Sequence, residues 1–193
     1  MENLAEEVKS TLMTDYKTRK LEKELNFSDT FANKMTLADE YFRKGNLDNA
    51  IQIYESCLEG NHKTDKTLLT KLINAKYQQK DYEGVIQYGE PILEDRTFHK
   101  SDEIIYVAWA HHELGQHKKA QLLFEITDIR FSNYWQRLEY AKYLNLVGNR
   151  AAAKNKLEGL MEEIDSMSSY EQRHKKNILR QIKGYYGELM SDG

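Results

Sequence analysis

The chain has 193 residues, of which 40% are hydrophobic and 31% are charged, a balance typical of folded proteins rather than disordered ones. Its 28 basic and 31 acidic residues give a net charge of −3, which disfavours nucleic acid or an anionic membrane as the main partner. The single cysteine excludes an intramolecular disulfide, and no apolar run approaches the roughly 18 residues that a membrane span requires. With one proline in this length, we expect a helical, cytoplasmic protein without a membrane span.

The N-terminal segment, residues 1–27, is predicted to form an amphipathic helix. Leu4, Val8, Leu12 and Tyr16 form an apolar stripe at helical spacing, opposite a side that carries glutamate and lysine. We interpret this helix as packed on the following domain or projecting from it, and self-association into a homodimer is the alternative. A membrane-surface helix is disfavoured because the polar side carries both signs of charge.

A helix–hinge–helix pattern begins at Phe31 and recurs along the chain. The first hinge is 44–47, Lys-Gly-Asn-Leu, and related hinges begin at Gln79, Leu114 and Val147, after 35, 35 and 33 residues. Apolar residues fall three or four positions apart on both sides of each hinge, which predicts paired amphipathic helices. The predicted pairs are 31–44 with 47–60, 66–80 with 82–95, 101–114 with 117–129, and 134–147 with 150–166.

This repeat resembles the tetratricopeptide repeat (TPR) family, whose unit of about 34 residues is a helix–turn–helix. The residues that carry the resemblance are Leu37, Ala38, Tyr41, Gly45, Ala50 and Tyr54 in the first unit, Val107, Ala108, His111, Gly115, Ala120 and Phe124 in the third, and Tyr140, Ala141, Leu144, Gly148, Ala153 and Leu157 in the fourth. The resemblance implies an all-α fold, a right-handed α-α superhelix (TPR-like solenoid) of antiparallel helix pairs. It would cover residues 28–168, with units of about 31–64, 66–99, 101–134 and 134–167.

The second unit departs most from this pattern. Lys80 replaces the hinge glycine, Val85 the small alanine and Gly89 the large aromatic residue. Pro91 lies inside the expected second helix, where it removes a hydrogen bond and clashes with the preceding turn. We expect that helix to be kinked or divided near residues 89–91.

Residues 169–193 are predicted to form a C-terminal capping helix, with its helical part at about 169–189. Ser168 and Glu171 have the spacing of a capping box, and Ile178, Ile182, Tyr185 and Leu189 share one face. The other face carries Arg173, Lys175, Lys176, Arg180 and Lys183. We interpret these basic residues as a solvated face, and a docking patch for an acidic group is the alternative.

The stretch from His111 to His117 is the most metal-like segment of the sequence. Zinc ligands on one helical face need an interval of four residues, but His112 and His117 are five apart with Gly115 between them. The sequence contains neither a glycine-rich phosphate loop nor a nucleophile elbow, and Cys57 is interpreted as a buried structural thiol. We therefore predict no catalytic site, no metal site and no cofactor.

In TPR proteins the first helix of each pair lines a concave groove, and the resemblance implies the same here. Carried over by register, the predicted partner-binding residues are Met35, Asp39, Phe42 and Arg43 in the first unit, Asn74, Tyr77 and Gln78 in the second, Trp109 and His112 in the third, and Trp135 and Lys142 in the fourth. Ile105 and Leu138 belong to the same predicted lining. The aromatic residues among them suit an extended peptide or a partner helix. For the two tryptophans, packing between repeats is the alternative.

These features predict a non-catalytic protein–protein interaction module that binds a segment of a partner protein. The alternative is a secretion- or assembly-type chaperone or co-chaperone that dimerises through its N-terminal helix. TPR domains that clamp a chaperone's C-terminal carboxylate need basic and asparagine side chains where this chain has Met35, Asp39 and Asp102, so that partner class is rejected. RNA recognition needs a basic groove, which Asp39 and Glu113 oppose.

Overall fold

The structure, a computed structural model, describes residues 16–191 and contains four helix pairs, with no strand in that range. Residues 16–27 are helical (α1). The helices that follow are α2 (Phe31–Arg43), α3 (Leu47–Ser56), α4 (Lys66–Gln78), α5 (Tyr82–Gly89), α6 (Glu103–Glu113), α7 (His117–Ile126), α8 (Tyr134–Leu146), α9 (Arg150–Ser166), α10 (Ser169–His174) and α11 (Lys176–Ser191). Each predicted first helix packs on its predicted partner, so the all-α class of paired helices is confirmed.

The chain divides into two compact units, with the boundary between Ile92 and Leu93, and each unit contains two helix pairs. The boundary follows directly on the divergent segment of the second repeat. There α5 ends at Gly89, and a 3₁₀ turn, Glu90–Ile92, takes its place. The predicted division near Pro91 is confirmed, and its cause is the proline, which has no N–H to continue the helix.

All four hinges close with the same hydrogen bonds, those of a Schellman motif. In the first hinge the Asn46 N–H donates to the Tyr41 carbonyl at 2.9 Å and the Gly45 N–H to the Phe42 carbonyl at 2.9 Å. The other three hinges repeat both bonds, centred on Lys80, Gly115 and Gly148. The residue that closes each first helix is also the N-cap of the second helix, which keeps the connection short.

The motif requires a left-handed residue, and in the second hinge that residue is Lys80, with φ of 60°. Gly45, Gly115 and Gly148 take φ of 75°, 73° and 82° at the matching positions, where glycine has no Cβ to clash. The second repeat therefore adopts the hinge geometry in spite of its local sequence. Tertiary packing of α4 on α5 imposes the conformation that glycine would favour intrinsically.

Replacing Lys80 with glycine is expected to raise the free energy of unfolding by about 1 kcal/mol, because a left-handed conformation costs an L-residue roughly 1–2 kcal/mol. The Lys80 side chain is exposed, so few contacts are lost. Urea denaturation of the wild type, Lys80→Gly and Lys80→Ala would measure the effect. The alanine variant also loses the lysine side chain but keeps the strain, so equal stability of the two variants would contradict this explanation.

The described part of α1 packs on α2. The Lys17 ammonium lies 2.7 Å from the Glu40 carboxylate, and the Tyr41 hydroxyl donates to Glu22 Oε1 at 2.5 Å. The break before α2 spans residues 28–30, and Thr30 is the N-cap, its Oγ1 accepting from the Asn33 N–H at 3.2 Å. The predicted stripe residues Leu4, Val8 and Leu12 lie outside the described residues.

Glu40 is a buried carboxylate, 3% exposed, on the face of α2 that meets α1. It accepts from the Arg43 guanidinium at 2.6 Å and from Lys17 at 2.7 Å. The Arg43 hydrogen bond, followed by the Lys17 bond, lowers the pKa of Glu40 to about 2 despite its burial. Because the pKa in the folded state lies below the unfolded value, this group stabilises the fold above pH 4.5, and the contribution is lost as the pH falls toward 2.

Changing Glu40 to glutamine is therefore expected to flatten the acid limb of the stability curve. We expect the difference in free energy of unfolding between the wild type and Glu40→Gln to fall by up to about 2 kcal/mol between pH 5 and pH 2. Both cationic partners are more than half exposed, and solvent screening keeps the effect below what the pKa shift alone would give. Urea denaturation at several pH values would measure it. A Glu158→Gln variant, altering an exposed pair with Lys154, serves as control, and parallel curves for the wild type and Glu40→Gln would refute the assignment.

A buried ion pair within the second unit holds the connection between α7 and α8, residues 127–133, in place. Arg137 and Glu163, 3% and 1% exposed, form two parallel bonds of 2.7 and 3.0 Å. Arg137 also bonds Asp128 Oδ1 at 3.0 Å, and Glu163 Oε2 accepts from the Phe131 N–H at 2.9 Å. Phe131 has φ of 60°, an uncommon conformation for a bulky residue. Glu163 thus fixes a strained turn as well as a buried cation.

The C-terminal segment differs from the single helix that the sequence predicts. The chain leaves the helical conformation at Lys175, which separates α10 from α11. The predicted capping box is confirmed, since the Ser168 N–H donates to the Glu171 carboxylate at 2.9 Å and the Glu171 N–H donates to Ser168 Oγ at 3.3 Å. Ile182 and Leu189 are buried as predicted, together with Leu179, and α11 packs through them on α9 and α8.

Candidate partner-binding surface

The predicted lining residues of the first unit fall on two stripes, one on α2 and one on α4. We call this set the α2–α4 surface. It comprises Met35, Asp39, Phe42, Arg43, Asn74, Tyr77 and Gln78. Spacings of three and four residues place each stripe along one side of its helix. Asp39, Arg43 and Gln78 are exposed, and the other four residues are half-buried.

Asp39 ties the two helices of this surface together. Its Oδ1 accepts from the Lys71 ammonium of α4 at 2.7 Å and from the Tyr54 hydroxyl of α3 at 2.5 Å. Burial, reinforced by the bond to Asp39, raises the pKa of Tyr54 well above its usual range, so the phenol stays a donor. The Asp39–Lys71 ion pair therefore links α2 to α4 beside the α2–α4 surface.

The remaining polar groups of the first unit are partly engaged within the chain. Arg43, one of the predicted partner-binding residues, already contacts the Glu40 carboxylate at 2.6 Å. The Gln78 amide donates to the Asn74 carbonyl oxygen at 3.0 Å, one turn away. The Tyr77 ring lies edge-on to Tyr82 across the hinge, with centroids 6.3 Å apart. Phe42 and Tyr77 remain half-buried, so part of each ring stays open to solvent.

The second unit carries the other predicted residues, which we call the α6–α8 surface: Trp109, His112, Trp135 and Lys142. All four are half-buried. Trp109 lies edge-on to Phe124 of α7 and Tyr143 of α8, at centroid distances of 5.2 and 5.9 Å. Trp135 lies edge-on to Tyr106 of α6 at 6.1 Å. Both tryptophans therefore contribute to packing between helix pairs while remaining half-buried.

Glu139 is the residue of this surface that the sequence prediction missed. It accepts from the Trp109 indole N–H at 3.1 Å and from the Lys142 ammonium at 2.7 Å. The predicted lining instead included Ile105 and Leu138, which are fully buried and belong to the core. Spacing alone does not separate Glu139 from Leu138, because both fit between Trp135 and Lys142 at intervals of three and four residues.

The histidines behave differently from one another. His111 is buried and its Nδ1 hydrogen-bonds Gln116 Oε1 at 2.8 Å. The Nδ1 atoms of His112 and His117 lie 3.2 Å apart, and His117 is exposed. Across residues 16–191, no three His, Cys, Asp or Glu side chains are grouped so that they could hold a metal ion.

Cys57 is buried, as predicted, and burial raises the pKa of its thiol. A raised pKa keeps the sulfur protonated at neutral pH, which makes it a poor nucleophile. None of the helices in the described part of the chain combines the length and the apolar character needed to cross a bilayer.

Comparisons with known proteins give likeness in fold. Neither a protein-family model nor a curated protein matches the sequence. A crystal structure of MamA superposes with a TM-score of 0.67 at 16% identity, covering 81% of this chain and 92% of that one. A second crystal structure of MamA gives 0.67 at 15% identity, covering 89% and 90%. The chain therefore shares an all-α, TPR-like architecture of helix pairs with these structures.

Proposed function

We propose that this protein is a non-catalytic interaction module that binds a segment of a partner protein on the first helices of its helix pairs. It needs no cofactor for this role. The MamA-like arrangement of helix pairs supports a scaffold of this kind, and the α2–α4 and α6–α8 surfaces supply the groups that such a scaffold needs.

The observation that carries the proposal is common to both units. In each unit a carboxylate links the two first helices: Asp39 to Lys71 in the first, Glu139 to Trp109 in the second. Each surface also carries two half-buried aromatic residues, Phe42 and Tyr77 in the first unit and Trp109 and Trp135 in the second. Side chains that are already held by hydrogen bonds lose little entropy on binding. Aromatic residues are enriched among the interface residues that contribute most of the binding energy.

A chaperone that dimerises through its N-terminal helix has less support. The described part of α1 uses Lys17 and Glu22 for contacts with α2 of the same chain. These contacts make α1 part of the first unit and favour the structural interpretation of the helix.

The first test uses the same substitution at two positions of one helix pair. Gln78→Arg places a bulky cation on the α2–α4 surface, and Gln87→Arg places it on the exposed side of α5. Affinity capture from native-source lysate should lose specific partners with Gln78→Arg, by roughly tenfold, because a misplaced side chain at an interface centre costs about 1–2 kcal/mol. Circular dichroism would confirm that both variants are folded.

The second test treats the other unit in the same way. Lys142→Glu reverses a charge beside Glu139 on the α6–α8 surface, and Lys154→Glu reverses one beside Glu158 on α9. We expect only Lys142→Glu to reduce capture. If wild type, both surface variants and both controls capture the same proteins in the same amounts, the proposed binding surface is wrong.

A further inference from the structure

The outer face of α11 carries basic side chains that no carboxylate among residues 16–191 neutralises. Elsewhere in the described residues cations commonly meet carboxylates, as Arg43, Lys71 and Lys142 do at 2.6–2.7 Å. Lys176, Arg180 and Lys183 are exposed, and none of them has an acidic partner among residues 16–191. Spacings of four and three residues place the three charges on one stripe, where they repel one another.

The same face contains two glycines, Gly184 and Gly187. Both are exposed within the helix, and a Cβ added at either would meet no atom within 4 Å. Glycine in a helix interior is unfavourable relative to alanine, and no neighbour within the described part of the chain requires its small size here. Lacking side chains, the two positions form a shallow notch beside Arg180 and Lys183, where another backbone can approach α11 closely.

From these features we infer that the outer face of α11 binds an acidic segment of a partner protein. The partner's carboxylates pair with Lys176, Arg180 and Lys183, and its backbone packs in the notch at Gly184 and Gly187. This interaction goes beyond the proposed role of the first helices, because it uses the opposite side of the helix from the one that packs on α8 and α9.

The chemistry of the face favours a protein over a membrane or a nucleic acid. A helix that binds a membrane surface inserts bulky apolar residues between headgroups. In α11 those residues, Leu179, Ile182 and Leu189, are buried against the unit itself. A nucleic acid is attracted by an extensive positive field, whereas this chain has a net charge of −3. A short carboxylate-bearing segment matches three cations in a row.

The test measures fluorescence anisotropy of a labelled alanine-rich helical peptide of about 18 residues, long enough to form a helix alone, with glutamates spaced four and three apart. Its glutamine analogue is the uncharged control. The 193-residue chain is compared with Lys176→Gln/Arg180→Gln/Lys183→Gln and with a matched control, Lys63→Gln/Lys100→Gln/Lys118→Gln, which removes the same charge from other exposed positions. At low salt we expect the first variant to raise Kd at least about tenfold and the control less than about twofold.

A further variant, Gly184→Leu/Gly187→Leu, fills the notch and leaves the charges intact. We expect this variant to raise the Kd of the peptide roughly fivefold or more, because the peptide backbone can no longer approach α11 closely. Equal weakening by the two charge variants, no loss with the glycine variant, or no binding to wild type would overturn the inference. The inference would also be overturned if the protein bound phosphatidylserine vesicles or single-stranded RNA more tightly than the peptide and the α11 charge variant abolished that binding. Circular dichroism establishes that each variant is folded.

Discussion

Replacing Arg137 with methionine is expected to lower the free energy of unfolding of the second unit by about 3–5 kcal/mol, because breaking a buried ion pair leaves an uncompensated charge. In this variant Glu163 would still accept the hydrogen bond from the Phe131 N–H. It would also still contact the Arg130 guanidinium, which lies 3.3 Å away on a side chain that is 67% exposed. Neither replaces the two short bonds from Arg137. Urea denaturation, followed by circular dichroism, would measure the loss.

The double variant Arg137→Met/Glu163→Gln distinguishes a lost charge pair from a lost packing contact. Glutamine keeps an acceptor for the Phe131 N–H but removes the buried negative charge, so we expect it to recover at least about 2 kcal/mol of the loss. Lys154→Ala, in an exposed pair with Glu158, is the control and should change stability by less than about 0.5 kcal/mol. If the double variant is no more stable than Arg137→Met, burial of the charge is not the reason for the effect.

Phe124→Ala is expected to destabilise the second unit by about 3–5 kcal/mol, the usual effect of truncating a large buried aromatic residue. The Phe124 side chain is fully buried on α7, stacked on Tyr143 at 4.6 Å and on Tyr140 at 5.8 Å. The Phe124 ring also packs edge-on against the Trp109 ring, with centroids 5.2 Å apart. The substitution should therefore also loosen a tryptophan of the α6–α8 surface.

Thermal denaturation would measure the stability change, and fluorescence in a Trp135→Phe background would report on Trp109 alone. We expect a red-shifted emission from Trp109 in the folded Phe124→Ala variant. Phe131→Ala, which truncates the same kind of side chain at a 63% exposed position of this unit, should cost less than about 1 kcal/mol. Comparable losses for Phe124 and Phe131 would contradict the assignment of Phe124 to the core.

The core and the hinges could be predicted because their signals are local. Ala38, Ala50, Tyr54, Phe124 and Leu157 occupy repeat positions that face the partner helix, and all of them are buried. Spacings of three and four determine the face of a helix whatever the rest of the fold does. The Ser168–Glu171 capping box and the division at Pro91 rest on equally short-range chemistry.

The features that the sequence did not reveal depend on residues far apart in the chain. Arg137 and Glu163 are 26 residues apart, and charged side chains at those positions resemble any solvated helix face. The break at Lys175 has no proline or glycine beside it to indicate an end. In the candidate site, Glu139 was missed because register alone did not decide between it and Leu138. The hydrogen bond from Trp109 on α6 to Glu139 on α8 identifies Glu139 as the residue of the candidate site.

The hinge design also determines where this chain can accept inserted sequence. Asn46, Asp81, Gln116 and Asn149 each close one helix and cap the next, so an insertion beside them would remove two terminal bonds together. The connection between α3 and α4 is different, because Lys63 and Thr64 are exposed and outside both helices. A peptide tag or reporter domain placed between them leaves the Cys57 cap of α3 and the Asp65 cap of α4 intact. Engineered or split forms of the protein should therefore be opened between helix pairs, never within one.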